Sequence, residues 1–338
     1  MPDRKVLSQD FLTCEGWGTA TRQFLAGDAS DRSYDRLTRG GQTAILMDAP
    51  PGKGDDPATF VAIAGHLASI GLSPPRVLAQ DLRHGFLLLE DLGDALFARL
   101  ILQDPAFEVP LYAAATDVLS HLHRHAAPEG LPNLTAQDWA EAATFALDWY
   151  RFAITGNRTN STAFTQTLAG LLTTCADGPR VMILRDYHAE NLLWLPDRGG
   201  LKRVGLLDFQ LAQMGQPGYD LVSMLQDARR DVHPDIEAAM IRHFLDASGT
   251  SDLGFAAAYA VLGTQRALRI LGIFARLCLH GGKPGYVALI PRVWGQLQRN
   301  LQHPALASLG AICETILPEP TPKRLERISA QCGMHPTP

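Results

Sequence analysis

Three polar side chains with a characteristic spacing are the residues of this chain best suited to chemistry. Asp186 is followed five residues later by Asn191, and Asp208 lies seventeen residues beyond Asn191. Phosphoryl transfer needs one carboxylate that orients and deprotonates the attacking hydroxyl group. It also needs amide and carboxylate oxygens that hold Mg²⁺ against a triphosphate. The spacing therefore predicts a phosphotransferase, with Asp186 as the base and Asn191 and Asp208 as metal ligands.

The apolar runs around these residues predict how the two metal ligands come together. Segments 181–184, 192–195 and 204–208 have the pattern of short strands or extended chain, and segment 196–200 has the composition of a turn. We therefore expect a hairpin with Asn191 at its start and Asp208 at its end. The alternative without a catalytic role is a buried aspartate in the hairpin of a protein that is not an enzyme. The second aspartate, in register with the hairpin, favours the catalytic interpretation.

Bulk properties limit the class of protein. The chain has 338 residues, which predicts two lobes or domains, and 46% of the residues are apolar while 19% are charged. The net charge of −5 gives no electrostatic reason to expect nucleic acid or an anionic membrane as a partner. The five scattered cysteines favour reduced thiols, and no long apolar run or secretion signal is visible. We expect a cytoplasmic protein, and the oligomeric state stays open.

The coarse pattern of elements predicts an α+β fold. Residues 1–89 combine short apolar runs with turns and one amphipathic helix over residues 57–70, which is typical of a small β-rich lobe. Residues 90–94 are polar, contain a glycine and predict a hinge. Residues 95–338 are rich in helical periodicity apart from the hairpin, and predict a larger helical lobe. Among its expected helices are 111–126, 136–152, 234–245 and 253–279.

With these motifs assembled, the chain resembles the aminoglycoside phosphotransferase and choline kinase-like family, which shares the two-lobed protein kinase-like fold. The resemblance covers roughly residues 20–300. Its most specific parts are 27–34, 87–93, 184–193, and 207–210 with 218–221. Within the family, segment 264–277 is similar to bacterial kinases that phosphorylate the anomeric hydroxyl group of the cell-wall amino sugars N-acetylmuramate and N-acetylglucosamine.

The resemblance implies further site residues and two small molecules, ATP and Mg²⁺. The loop over residues 27–34 would cover the triphosphate with backbone N–H groups and the Ser30 hydroxyl group. Glu90 to Leu92 would offer backbone hydrogen bonds to adenine, although an ordinary linker fits the same residues. His188 matches the family's D-x-H variant. It would contact the phosphate or the acceptor, or else brace the loop, and both interpretations stay open.

The sequence departs from the kinase pattern at two places. Leu184 stands where the catalytic loop of protein kinases has a histidine. Met47 stands where their third strand has a lysine, and the helix that follows contains no glutamate to pair with one. The joint absence indicates a rebuilt phosphate clamp, for which Arg32 and Arg36 are the nearby basic candidates. A catalytically inactive relative is the competing interpretation.

Several other features have unremarkable explanations as well as functional ones. His121, His123 and His125 alternate along a helix, where packing or contact with solvent is a better explanation than a metal site. Asp220 follows a glycine-rich turn and is expected to cap the next helix rather than to act on the substrate. Three arginines share the expected helix 253–279, and either salt bridges or a carboxylate or phosphate of the substrate would explain them. They are Arg266, Arg269 and Arg276.

Together these observations predict an ATP- and Mg²⁺-dependent O-phosphotransferase that acts on a hydroxylated amino sugar. Aminoglycosides, choline-like amino alcohols and homoserine-like amino acids remain alternative acceptors, because acceptor-binding loops vary more than the catalytic frame. A nucleotide-binding pseudokinase that regulates a partner is the alternative of a different class.

Overall fold

The computed structural model describes residues 3–27, 32–249, 251 and 253–335, without the side chain of Ala26. Its contacts divide the chain into two compact units. The first comprises Met1–Glu129 and Ala189–Ala212, and the second comprises Gly130–His188 and Gln213–Pro338. The chain thus passes from the second unit to the first between His188 and Ala189. These units have limits different from those of the expected lobes, 1–89 and 95–338, whose boundary at 90–94 stays a prediction.

A five-stranded antiparallel sheet with order β1-β2-β3-β5-β4 forms the centre of the first unit. Its strands are β1 (Thr21–Ala26), β2 (Ser33–Arg39), β3 (Gln42–Asp48), β4 (Val77–Asp81) and β5 (Phe86–Glu90). The apolar runs of β3 and β5 are buried throughout, as a strand with neighbours on both sides requires. Gly40 and Gly41 join β2 to β3 with φ angles of 54° and 80°, which two-residue hairpin turns favour.

Two helices accompany the sheet in sequence, α1 (Arg4–Cys14) and α2 (Pro57–Ser69). Helix α2 matches the expected helix over 57–70. The Asp56 side chain accepts a hydrogen bond from the Ala58 N–H at its start, and Pro57 occupies the first turn, where a missing N–H costs nothing. The buried face carries Phe60, Ile63 and Leu67, at the spacing expected of one helical stripe.

The expected catalytic hairpin is present in the same unit. Strands β7 (Leu192–Trp194) and β8 (Val204–Leu206) pair antiparallel, with Leu192 opposite Leu206. The Trp194 N–H donates to the Ala95 carbonyl at 2.8 Å, and the Leu206 N–H donates to the Ser73 carbonyl at 2.9 Å. Backbone hydrogen bonds on both edges therefore fix the hairpin within this unit. Helices α3 (Phe97–Gln103) and α4 (Glu108–Leu122) complete it.

The second unit is mainly helical. A short antiparallel pair, β6 (Val181–Ile183) with β9 (Gln213–Gly215), is its only sheet within the described residues. Helix α10 is buried along most of its 25 residues and forms the centre. The helices are α5 (Ala136–Ala143), α6 (Phe152–Thr155), α7 (Thr162–Leu171), α8 (Tyr219–Leu225), α9 (Pro234–Ser248), α10 (Phe255–Leu279), α11 (Ile290–Leu301), α12 (Ala307–Ile316) and α13 (Pro322–Ser329).

The prediction of one continuous helix over residues 136–152 is wrong. Segment 136–152 is not one continuous helix, because α5 ends at Ala143 and a π-helical segment, Ala146–Arg151, follows before α6. At the break, Gly272 of α10 lies against the backbone of Phe145, so close that a Cβ atom on Gly272 would overlap the Phe145 carbonyl group. The π-helical turn thus lies where the backbones of two helices approach more closely than any residue but glycine allows. This contact depends on tertiary packing, so the local sequence pattern could not predict the break in the helix.

Candidate active site

The backbone that leads into Asp186 is held by a buried carboxylate. Asp220, in the first turn of α8, accepts hydrogen bonds from the Leu184 N–H at 2.6 Å and from the Arg185 N–H at 2.8 Å. Both oxygens are used, and the residue is fully buried. Asp220 was expected to cap its helix. Its side chain instead braces the loop in front of the predicted base, 36 residues away along the chain.

A second chain of hydrogen bonds holds the same loop. The Ser223 hydroxyl group donates to the Arg185 carbonyl at 3.1 Å, and the buried Arg266 guanidinium donates to the Ser223 Oγ atom at 2.8 Å. Arg185 has a φ angle of 72°, which is unfavourable for a residue with a side chain. Because both its N–H and its carbonyl group are hydrogen-bonded, this strained turn is maintained, and the position of the Asp186 backbone follows from it.

Burial raises the pKa of Asp220 to about 7, against the two N–H donors and Arg266, which lower it. In the unfolded chain an aspartate ionises near pH ~4. The folded state therefore binds the proton more tightly, so the contribution of Asp220 to stability falls as pH rises between these two values. Two N–H donors on its two oxygens suit the ionised carboxylate, so the brace is fully formed toward the upper end of this window.

His188, the second predicted catalytic residue, also belongs to the helical unit. It is buried, and its Nε2 atom lies 3.5 Å from the Arg229 guanidinium. Asp186 is half-buried. A buried imidazole beside a guanidinium is compatible with a brace and with contact to an anionic group. The two interpretations of His188 therefore stay open.

The predicted metal ligands flank the hairpin as expected, with Asn191 just before β7 and Asp208 after β8, so both lie at its open end. The Leu207 N–H donates to the Asn191 carbonyl at 2.9 Å, and this bond extends the ladder of β7 and β8 up to the residue before Asp208. Asp208 adopts a φ angle of 56°, and the next residue, Phe209, is buried and stacks on Phe60 with ring centroids 4.9 Å apart. The packing of Phe209 fixes the point at which the Asp208 carboxylate leaves the backbone.

A basic side chain already contacts the Asp208 carboxylate. Arg32 is buried, and its guanidinium lies 3.1 Å from Asp208 Oδ1 and 3.5 Å from Asp55 Oδ2. Gln210 donates to the same Oδ1 atom at 2.9 Å. Burial raises the pKa of Tyr34, the positive charge of Arg32 opposes this shift, and the charges of Asp208 and Asp55 add to it. Of the two basic candidates for the rebuilt clamp, Arg32 lies at the predicted metal ligand.

Arg36 has a different position. Its guanidinium lies 2.8 Å from an oxygen of Asp91 and 2.8 Å from an oxygen of Asp94, and it also reaches the Gly93 carbonyl at 3.4 Å. Arg36 therefore holds segment 90–94, the predicted hinge, through ion pairs and a hydrogen bond. Met47, at the position of the missing lysine, is fully buried in β3 between β2 and β5.

The residues predicted to bind adenine lie at the end of β5. The Glu90 carboxylate forms ion pairs with Arg198 at 2.9 Å and with Arg76 at 3.3 Å, so its side chain is occupied by structural contacts. Leu92 packs close to Gly205 of the hairpin, where its Cδ1 atom would lie 3.3 Å from an added Cβ. The adenine role concerned the backbone of these residues and stays a prediction. Ser30 lies outside the described residues.

The remaining histidines and arginines are mostly explained by packing. His121 Nε2 contacts the Ile70 carbonyl at 2.7 Å, and its ring lies against His125. Among the described residues, no group of three or more His, Cys, Asp or Glu side chains is placed to hold a metal ion. Arg276 lies over the Trp149 ring, with its guanidinium carbon 5.9 Å from the ring centroid.

A braced aspartate, a hairpin with an amide and a carboxylate at its ends, and a kinase-like order of these motifs define a phosphotransferase. A family model described as the phosphotransferase enzyme family matches residues 21–259, and the chain belongs to that family. Its α+β architecture, with the sheet in the N-terminal part and helices in the C-terminal part, agrees with the predicted fold class.

Within this family, the chain is similar to several individual proteins. The chain is 40% identical to the N-acetylmuramate/N-acetylglucosamine kinase of Caulobacter vibrioides, over 94% of this chain and 98% of the relative. It is 32% identical to the protein of the same name from Pseudomonas aeruginosa, over 91% and 93% of the two chains. The structure of a microcompartment-associated aminopropanol kinase matches with a TM-score of 0.63 at 14% identity, over 90% of this chain and 98% of that one, which shows a shared fold.

Within the described part of the chain, no helix is long and apolar enough to span a bilayer. The cytoplasmic location and the absence of a nucleic acid partner stay predictions.

Proposed function

We propose that this protein is an ATP- and Mg²⁺-dependent kinase that phosphorylates the anomeric hydroxyl group of an N-acetylated amino sugar. The observation that carries the proposal is the 40% identity to an N-acetylmuramate/N-acetylglucosamine kinase over nearly the full length of both chains. The braced Asp186 loop and the Asn191–Asp208 hairpin support the reaction class.

Asp186 is the proposed base. Its carboxylate accepts the proton of the O1 hydroxyl group, and the resulting oxygen attacks the γ-phosphorus of ATP, so that a sugar 1-phosphate and ADP are formed. An anomeric hydroxyl group is more acidic than an ordinary sugar hydroxyl group, so one carboxylate suffices as the base. The fixed Arg185 turn keeps Asp186 oriented, which is the main contribution that a protein makes to this chemistry.

Asn191 and Asp208 are the proposed ligands of Mg²⁺. An amide oxygen and a carboxylate suit this cation, and the extended hairpin ladder brings the two residues to the same end of the hairpin. A cation held there would offset the negative charge that develops on the phosphate oxygens. Asp208 shares Oδ1 with Arg32 and Gln210, and a carboxylate has acceptor sites on both oxygens for a further ligand.

Arg32 is the proposed replacement for the missing lysine. A guanidinium beside the metal carboxylate can donate to a phosphate oxygen while it keeps its ion pair with Asp55. Arg36 has the separate role of shaping the segment that would contact adenine through the backbone of Glu90 to Leu92. Ser30 completes the proposed nucleotide site on the sequence argument alone.

The acceptor is the part of the proposal that most needs a test. Polycationic aminoglycosides call for a strongly acidic acceptor site, whereas the surplus of five acidic residues gives no sign of one. The test is to offer Mg²⁺-ATP with N-acetylmuramate, N-acetylglucosamine and kanamycin in turn, to compare kcat/KM, and to locate the phosphate by ³¹P NMR.

We expect faster turnover of the N-acetylated sugars and phosphate on O1. Faster turnover of kanamycin would move the protein to the aminoglycoside kinases, and phosphate on O6 would contradict the anomeric assignment. Nucleotide binding without transfer to any acceptor, including choline and homoserine, would favour the pseudokinase.

A further inference from the structure

Two arginines of the helical unit, one of them next to the predicted base in the chain, stand out from its other basic groups. Arg185 directly precedes Asp186, and Arg269 lies in α10. Both are half-buried, and within the part of the chain that the structure describes neither guanidinium forms an ion pair with a carboxylate. The Nε atom of Arg185 is buried without a hydrogen-bond partner. Such a donor costs free energy unless a ligand or water satisfies it.

Hydrogen bonds bring α10 up to the Arg185 turn, since Ser223 joins the Arg185 carbonyl group to Arg266. Arg269 follows Arg266 by three residues on the same helix, so it lies on the neighbouring turn of the same face. Burial lowers the pKa of Arg185, and the positive charge of Arg269 lowers it further, while Tyr219, Asp186 and Asp220 oppose the shift. Asp220 is engaged by two backbone N–H groups, so it offers no oxygen free of other donors to Arg185. The pair is therefore a partly desolvated concentration of positive charge, and a bound anion would stabilise it.

The other two arginines of α10 are accounted for. Arg266 donates to Ser223 and belongs to the brace of the catalytic loop. Arg276 lies over Trp149. The structure thus singles out Arg269 among the three arginines that the sequence could not rank.

We infer that Arg185 and Arg269 form a subsite for a carboxylate carried by the acceptor sugar. This inference rests on the proposed function, because it places the anion on the molecule whose hydroxyl group Asp186 deprotonates. The backbone of Arg185 is fixed at its N–H and its carbonyl group, so its side chain starts from a defined point next to the base. A planar guanidinium pair suits the two oxygens of a carboxylate.

The consequence is a preference among amino sugars. N-acetylmuramate carries a lactyl carboxylate, whereas N-acetylglucosamine has a hydroxyl group at that position and no anion. The pair would recognise the first sugar through charge-assisted hydrogen bonds and the second through the rest of the site alone. Arg185 and Arg269 are therefore assigned to specificity, and Asp186 to the transfer itself.

The experiment compares two sugars and a neutral analogue across matched variants. The measured quantity is the ratio of kcat/KM for N-acetylmuramate to kcat/KM for N-acetylglucosamine, in the parent, Arg269→Gln, Arg269→Lys and Arg276→Gln. The Arg276→Gln control removes the same charge from the same helix. The carboxamide of N-acetylmuramate tests the charge on the ligand, and a thermal melt of each variant verifies folding.

We expect Arg269→Gln to lower the ratio by roughly 10- to 100-fold, the factor that corresponds to one lost charge-assisted hydrogen bond. Arg269→Lys should keep part of the preference, and Arg276→Gln should keep all of it. The parent should discriminate against the carboxamide by a similar factor, and Arg269→Gln should not. Calorimetric binding of N-acetylmuramate without ATP should weaken in parallel.

The possible failures can be told apart. If the parent phosphorylates neither sugar, the proposed function fails and the subsite falls with it. If the parent phosphorylates both sugars but Arg269→Gln leaves the ratio unchanged, only the subsite is overturned. An equal drop in Arg276→Gln would also overturn it, because the effect would then belong to the overall charge of the helix.

Discussion

The loop that leads into Asp186 and the cluster around Asp208 differ in how deeply their charged groups are buried and in how short the contacts of these groups are. Asp220 and Arg266, which brace the loop, have 0% and 6% of their surface exposed, and their hydrogen bonds are 2.6 to 2.8 Å long. In the cluster, the side chains of Asp208 and Asp55 are 41% and 33% exposed, and the ion pairs to Arg32 measure 3.1 and 3.5 Å.

The difference matches the two tasks. A base must be held in one orientation, and buried hydrogen bonds to both oxygens of the bracing carboxylate give that rigidity. A nucleotide site must exchange its own ion pairs for bonds to phosphate and metal, and partly hydrated carboxylates can do so at a low cost. Changes in the brace should therefore alter turnover and intrinsic stability. Changes in the cluster should alter the response to Mg²⁺-ATP.

The largest expected effect is that of Asp186→Asn. Loss of a positioned base should lower kcat by about 100-fold or more while the KM for ATP stays within a few-fold of the parent. Steady-state kinetics with the amino sugar measures both quantities, and Asp235→Asn, at a side chain that is 93% exposed, is the control. Turnover close to that of the parent would remove Asp186 from its role as base.

Asp208→Asn should abolish the metal dependence of nucleotide binding. In the parent, Mg²⁺-ATP at a hundredfold excess over its Kd should stabilise the fold by roughly 2–3 kcal/mol more than the apo state, and EDTA should remove most of that gain. Thermal melts with and without EDTA measure the difference. Asp55→Asn, at the other carboxylate beside Arg32, should keep the metal dependence. If Asp208→Asn keeps it as well, the metal is held elsewhere.

Arg32 and Arg36 should separate in the same assays. Arg32→Ala should raise the KM for ATP and lower kcat, together reducing kcat/KM by about 10- to 100-fold, because a charge-assisted bond to phosphate is lost. Arg36→Ala removes the ion pairs to Asp91 and Asp94 and loosens the 91–94 segment, so it should act on ATP only indirectly and cost about fivefold or less in the KM for ATP. The reverse order would mean that Arg36 binds the phosphate and that the assignment of Arg32 is wrong.

Ser223→Ala tests the brace with the smallest change. It removes the group that links Arg266 to the Arg185 carbonyl and leaves both without this partner, so kcat should fall by roughly tenfold at an unchanged KM for ATP. The matched control is Ser120→Ala, which removes a buried hydroxyl group bonded to the Thr116 carbonyl within α4. If both variants lose equal stability and keep full kcat, the brace is only structural.

Much of this protein was predictable from local patterns. The buried runs of β3 and β5, the capped helix α2 and the catalytic hairpin all depend on neighbours in sequence, because alternation, caps and turns are local. The spacing of Asp186, Asn191 and Asp208 in the sequence predicted a phosphotransferase. The match to the phosphotransferase family model confirms that class of enzyme. The roles of the individual residues remain predictions.

Other features were decided only by tertiary structure, because they depend on partners far away in sequence. Arg32 lies on Asp208 across a separation of 176 residues, and Arg266 reaches Ser223 across 43. No local pattern could show that Asp220 braces a loop rather than capping its helix, or that Gly272 meets Phe145 where a helix was expected to continue. A side chain's partner is set by which elements pack together, and that packing is a property of the whole chain.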